Sequence, residues 1–318
     1  MTGVKITVLA GGIGAARFLA GLQRVVDPTS ITAICNVSDD LTWHGLHVSP
    51  DIDSVLYTLA GEEGEHGWGV RGDTTVVLDE LRALGGDAWF TIGDRDLATH
   101  LLRTARLLNG GTLTESTAAL ARARGVGVTV LPVTDDPHPT IIRTAEGDLS
   151  FQDYFVRRRA QGDVLGFDFP GADAARPAPG VLRAIGEADL VVIAPSNPFV
   201  SIGPLLLVPG VRQTLADAHA RRVAVSPIVG GAAVKGPAAD MLRSLGHEVS
   251  ALAVASLYRG LVDLFVLDAV DEALLSEVRA LGMDALAVDT MMTGDEGRER
   301  VARNVLAAAG FDADGLPA

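Results

Sequence analysis

Four aspartates, Asp39, Asp40, Asp51 and Asp53, fall in a short loop-rich stretch just beyond an apolar run at residues 31–35. Neighbouring carboxylates repel one another, and a hard cation such as Mg2+ bridging protein and phosphate oxygens would explain their crowding. All four are candidate ligands at this point. A plainer reading is local, since Asp is common in turns and Asp53 could cap a helix starting near Ser54. A second chemical signal is Gly11-Gly12-Ile13-Gly14 after a β-branched run at residues 4–9. Glycines let backbone N–H groups approach a phosphate, and the following helix points its positive end at it. Tight strand-to-helix turns recruit glycine for packing as well. A third is Asp96 and His100, four apart on one helical face, where acid–base work or substrate orientation competes with a solvated ion pair.

These groups need strands to carry them. Residues 4–9, 31–35, 126–131, 190–194 and 223–225 read as short strands, mostly followed by helical periodicity. The alternation predicts an α/β fold, a Rossmann-like parallel sheet flanked by helices. In such a sheet the ligand crevice lies beyond the carboxyl ends of the strands. There the sequence places the glycine turn, Asn36-Val37-Ser38-Asp39-Asp40, Thr134-Asp135-Asp136, Ser196-Asn197-Pro198 and Ser226-Pro227. Residues 60–180, irregular and rich in Gly, Pro and Ala toward both ends, predict a smaller, largely helical inserted lobe within a single 1–318 domain. In it Leu97, Leu101, Ala105 and Leu108 form an apolar stripe, with Asp94 or Asp96 placed to cap its helix. A dinucleotide fingerprint is incomplete, because Arg17 stands where a small residue would let helix and strand pack closely, and Cys35-Asn36 precede any acid for a ribose.

Composition narrows the function. The chain of 318 residues, 48% hydrophobic and 21% charged, is that of a folded globular protein. A net charge of −14 without a basic stripe argues against nucleic acid and requires local donors or a metal for any anionic substrate. The single cysteine, Cys35, excludes an intramolecular disulfide and fits a cytoplasmic setting. The N-terminal apolar segment, broken by Lys5 and Thr7, lacks the form of a signal peptide, and no run is long enough to span a bilayer. Nucleophile-elbow, Walker-lysine and zinc-ligand spacings are absent.

Six widely separated segments together resemble the CofD/FbiA family, the 2-phospho-L-lactate transferases of coenzyme F-420 synthesis. They are LAGGIGAARFLAGL (9–22), NVSDD (36–40), HGLHVSPDIDSVLYTLAG (44–61), IGDRDLATHLLR (92–103), FQDYFVRRRAQ (151–161) and IAPSNPFVSIGPLLLVPGV (193–211), with SPIVGGAAVKGPAADML (226–242) continuing the pattern. The resemblance implies transfer of a phospholactyl or phosphoenolpyruvyl group from its guanosine diphosphate adduct to a ribityl hydroxyl of the deazaflavin Fo. GMP leaves, Mg2+ assists, and the protein is a homodimer, for which the apolar 202–211 segment offers an interface or simply core. Carried over by motif, Gly11, Gly12, Gly14, Arg17, Ser196, Asn197, Pro198 and Ser226 become substrate contacts, the glycine turn and the Ser196 loop on the nucleotide side. Asp39, Asp40 and Asp51 become metal ligands. Asp53 and Arg95 hold Fo, and Asp53 is the best-placed aspartate to accept the hydroxyl proton, the alternative being that positioning and electrostatics suffice without a dedicated base. Ser38, Ala15 and Ala16 depart from glycines expected in the family. A non-catalytic nucleotide-sugar-binding regulator of the related gluconeogenesis-factor group is the alternative.

Overall fold

The computed structural model describes residues 4–65 and 67–311. Its central sheet has seven parallel strands: β1 (Ile6–Ala10), β2 (Ile31–Cys35), β3 (Thr129–Pro132), β4 (Leu190–Ile193), β5 (Arg221–Val225), β6 (Leu264–Asp268) and β7 (Asp284–Val288). Their spatial order is β3-β2-β1-β4-β5-β6-β7. This is the doubly wound Rossmann order with one strand added, and its direction reverses between β1 and β4. The register sets Ile6 between Ile31 and Leu190. Every residue of β1, β4 and β6 is buried, as a sheet covered by helices on both faces requires. Helix α1 (Gly12–Leu22) packs on α2 (Pro50–Leu59) and on the helix Gly294–Ala308.

The strands fall close to the expected places, with β6 and β7 as additions. β3 starts later than the 126–131 run because Val126 still belongs to a helix end: its N–H bonds the Ala121 carbonyl across Gly125, whose φ is +69°. The 60–180 stretch is divided by β3. Before it come α3 (Val76–Ala83), α4 (Asp94–Leu108) and α5 (Leu113–Ala123). After it comes an antiparallel sheet of Gly147–Ser150, Ile141–Thr144 and Val164–Asp168, so helical describes only the first part.

Helix α4 is oriented opposite to its apolar stripe. Leu101 and Leu108 are 52% and 83% exposed, whereas Thr99, His100 and Arg103 are buried. A buried ion pair, described below, makes the polar face the inner one. Its N-cap is Gly93, and the first-turn N–H groups of Arg95 and Asp96 are taken by Asp73. Asp94 instead accepts from Val76 and Val77 N–H at the start of α3, so the two helix starts exchange caps. No single helix among the described residues is long and apolar enough to cross a membrane. The segment 202–211 lies mainly in the core, with Ile202, Leu205, Val208 and Val211 buried.

Candidate active site

The glycine turn closes on Asp51. Gly12 has φ +69°, a left-handed conformation that strains any residue with a Cβ, and its N–H donates to Asp51 Oδ1 at 2.8 Å. A Cβ on Gly14 would lie 2.1 Å from the Pro195 carbonyl oxygen, so α1 approaches the loop after β4 only because that position is glycine. Asp51 Oδ2 accepts from Asn36 Nδ2 at 3.0 Å, and Asn36 also donates to the Val200 carbonyl. One carboxylate thus ties together the ends of β1, β2 and β4, the point where the sheet order reverses. Asn36 stands where a ribose-binding acid would stand in a dinucleotide site, and its amide is spent inside the protein.

Beyond β2 opens a cavity of about 590 Å³, within the size range of small-molecule sites. Asp39, Asp51, Asp53 and Asp96 line it together with the aromatic residues Trp68, Phe90, Phe151 and Phe155. Phe151 and Phe155 stack with centroids 5.5 Å apart. Asp39 is fixed by Thr140 Oγ1 at 3.0 Å, and Gln152 Nε2 bonds its backbone carbonyl. Burial, then the charge of Asp51, raises the Asp39 carboxyl well above the usual carboxylate range. Burial likewise raises Asp51 to about 6, against the pull of Asn36 and Gly12. Two hard-oxygen donors that repel each other in a buried wall are a donor set a divalent cation fits, so Asp39 and Asp51 suit Mg2+. Asp40 points elsewhere, accepting from Ser49 Oγ at 2.7 Å and pairing with His47 Nε2 at 2.9 Å, on a separate cavity with His138.

Asp53 has a different setting. Both its oxygens accept from Arg103, a guanidinium with no exposed surface. Burial alone would lower the guanidinium pKa, but the charge and hydrogen bonds of Asp53 hold it above its usual value. Arg103 also contacts His100 Nδ1 at 3.3 Å. His100 Nε2 lies 3.3 Å from Asp96, which accepts from the Tyr57 hydroxyl at 2.5 Å. Burial works against ionisation of Asp96, yet His100, Tyr57 and Arg103 together lower its pKa. Asp53, Asp96 and His100 bring three ligand atoms within 4.8 Å of one another. With a guanidinium already on Asp53 and on the imidazole, that cluster is internally neutralised and unsuited to a second cation.

The other candidate contacts lie outside this cavity. Arg17 pairs with Glu63 at 3.2 Å, and Glu63 also binds Arg298. Arg95, its side chain 55% exposed, reaches back to the Arg71 carbonyl. Asn197 caps the turn starting at Pro198 by accepting from Phe199 N–H, and Ser226 closes a turn onto Ile228. Ser196 is buried with its Oγ unpartnered beside the Gly14–Pro195 contact. The sequence assigns no individual role to Arg103, Tyr57, Trp68 or Phe90, whereas Phe151 and Phe155 lie in the FQDYFVR segment that the family resemblance places at the acceptor site. Arg103 carried a signal, since it follows Asp96 and His100 at helical spacing on the same face.

The fold is shared with a member of the UPF0052 family from Bacillus halodurans, with a TM-score of 0.63 and 19% identity, covering 96% of this chain and 99% of that one. The sequence decides further. The family described as 2-phospho-L-lactate transferase CofD matches residues 6–306, and the chain belongs to that family. It is 45% identical over 313 residues to a phosphoenolpyruvate transferase of Streptomyces griseus, covering 96% of this chain and 98% of the relative. It is 37% identical over 302 residues to a 2-phospho-L-lactate transferase of Methanosarcina mazei, covering 95% and 99%.

Proposed function

We propose that this transferase moves a phosphoenolpyruvyl or phospholactyl group from a guanosine-diphosphate-linked donor to the deazaflavin Fo, releasing GMP, in coenzyme F-420 biosynthesis. The carrying observation is the cavity: it combines aromatic surface suited to a flat tricyclic ring with carboxylates, one of which, Asp51, is joined to the glycine turn. Relatives at 44–45% identity are named phosphoenolpyruvate transferases, which supports the enolpyruvyl donor. In this reading the acceptor ring lies against Trp68, Phe151 and Phe155, and the donor's nucleotide lies toward the Gly11–Gly14 turn, Ser196-Asn197-Pro198 and Ser226.

The acceptor hydroxyl attacks phosphorus in line, GMP departs with the electron pair of the broken P–O bond, and the hydroxyl proton passes to solvent or to the departing GMP phosphate. Mg2+, when held by Asp39 and Asp51, supplies neutralisation of the diphosphate charge. Asp53, with both oxygens on Arg103, positions α4 against α2 instead of taking the hydroxyl proton as its sequence context had implied. Positioning and electrostatics carry the step without a dedicated base. A cytoplasmic homodimer completes the proposal, and sedimentation showing a concentration-independent monomer removes that part.

The test is GMP release by purified protein with Mg2+ and Fo, comparing enolpyruvyl, lactyl and glyceryl donors and following the acceptor product by mass. Fo-dependent product from the enolpyruvyl or lactyl donor is the expected result. Nucleotide binding without product from any donor overturns the reading in favour of a binding protein.

A further inference from the structure

His100 is 1% exposed and lines the cavity, yet its Nε2 has no hydrogen-bond partner. A buried polar atom in that state costs stability unless a ligand completes it. Its protonation follows from its neighbours. Arginine has only donors, so the 3.3 Å contact from Arg103 makes His100 Nδ1 the acceptor and leaves the ring proton on Nε2. Asp96, its side chain 13% exposed at the same cavity wall, sits 3.3 Å from that Nε2 but is not aligned to accept from it. Tyr57 fixes Asp96 through the 2.5 Å hydrogen bond to Oδ1. The wall therefore presents one N–H donor and one carboxylate acceptor side by side, both held from behind.

We infer that Asp96 and His100 together bind an aliphatic hydroxyl of the ligand, which donates to the Asp96 carboxylate and accepts from His100 Nε2–H. Like the water it would displace, a hydroxyl combines donor and acceptor on one atom. A carbonyl has no proton for Asp96, an ammonium has no lone pair for His100, and a phosphate meets the charge of Asp96. Resting on the proposed acceptor, this assigns a side-chain hydroxyl of Fo to the pair and makes Asp96 and His100 selective for a polyol chain. Arg103 and Tyr57 act behind them, fixing the tautomer and the carboxylate.

The experiment is equilibrium binding, in the absence of donor, of Fo and of a deazaflavin carrying a pentyl chain in place of the ribityl chain. Wild type is expected to prefer Fo by about tenfold. His100→Asn keeps an acceptor near Nδ1 for Arg103 but removes the Nε2 donor, and is expected to lose most of that preference. His100→Gln returns a donor near Nε2 and is expected to recover it. Asp96→Asn, which keeps the side chain's shape and removes its charge, carries the same test should His100→Asn not fold. Preference for Fo undiminished in the folded His100→Asn or Asp96→Asn protein overturns the inference while leaving the transferase reading intact. Failure of wild type to bind either deazaflavin overturns both.

Discussion

Asp51 and Asp53 both lie in the first turn of α2 and both are buried, yet their surroundings are electrically opposite. Asp51 receives only neutral donors, Gly12 N–H and Asn36, and shares its wall with Asp39. Asp53 receives a whole guanidinium. The first region pairs two carboxylates with neutral donors alone, and burial raises both pKa values; in the proposed function a cation from outside completes it. The second carries its own and needs only the loop-and-helix lobe to stay docked. Two residues of a single helix turn thus meet electrically opposite surroundings.

The largest test of that contrast is to neutralise each carboxylate. Asp53→Asn leaves buried Arg103 without its counter-charge and is expected to cost about 3–5 kcal/mol in urea unfolding. Asp51→Asn, which leaves one of two buried N–H donors without an acceptor, is expected to cost about 1–3 kcal/mol in the same assay while lowering transfer about 100-fold or more. Equal stability losses for the two would erase the distinction.

Next in size is the response to Mg2+. The folded pKa of Asp51, about 6, is raised above the ordinary carboxylate value, so the stability linked to its protonation is present at pH 4 and disappears as pH rises through about 6. Metal-free protein is therefore expected to lose stability between pH 5 and pH 7.5, a slope that Asp51→Asn reduces. Mg2+ at a hundredfold excess over its Kd is expected to return about 2.7 kcal/mol at pH 7.5 and less at pH 5, where it competes with protons. Melting curves at the two pH values decide it.

Smaller effects sharpen the boundary of the site. Gly14→Ala forces a Cβ onto the Pro195 carbonyl and is expected to cost about 1–3 kcal/mol in urea unfolding. Leu108→Ser, on the outward face of α4, is expected to change stability by less than about 0.5 kcal/mol in a monomer. A larger loss that depends on protein concentration would identify that face as a subunit contact.

Much of this was legible in the residues. Strand ends followed by Gly, Asp, Ser or Asn clusters pointed to the carboxyl edge of the sheet, where the candidate cavity opens beyond β2, although the clusters after β4 and β5 do not line it. The helix at Asp94–Leu108 was legible as a helix, but its orientation was not. Apolar spacing proposes which face turns inward, and here the ion pair between Arg103 and Asp53, 50 residues apart, turned it the other way. The aromatic surface was legible only in part: the FQDYFVR segment pointed to Phe151 and Phe155, but Trp68 lies far from Phe155 in sequence and meets it only in the folded chain.

The sequence by itself determined the α/β class, the chain's family and the identity of the acidic turn, since these depend on local spacing and on motifs read in order. Tertiary structure alone decided which carboxylates share a wall. Asp39 joins Asp51 and Asp40 does not, because adjacent residues leave the backbone in different directions at the end of β2. It decided too that Asp53 is neutralised and Asp51 is not. The charge of a buried group is set by what lies within a few ångströms, and those neighbours come from distant parts of the chain.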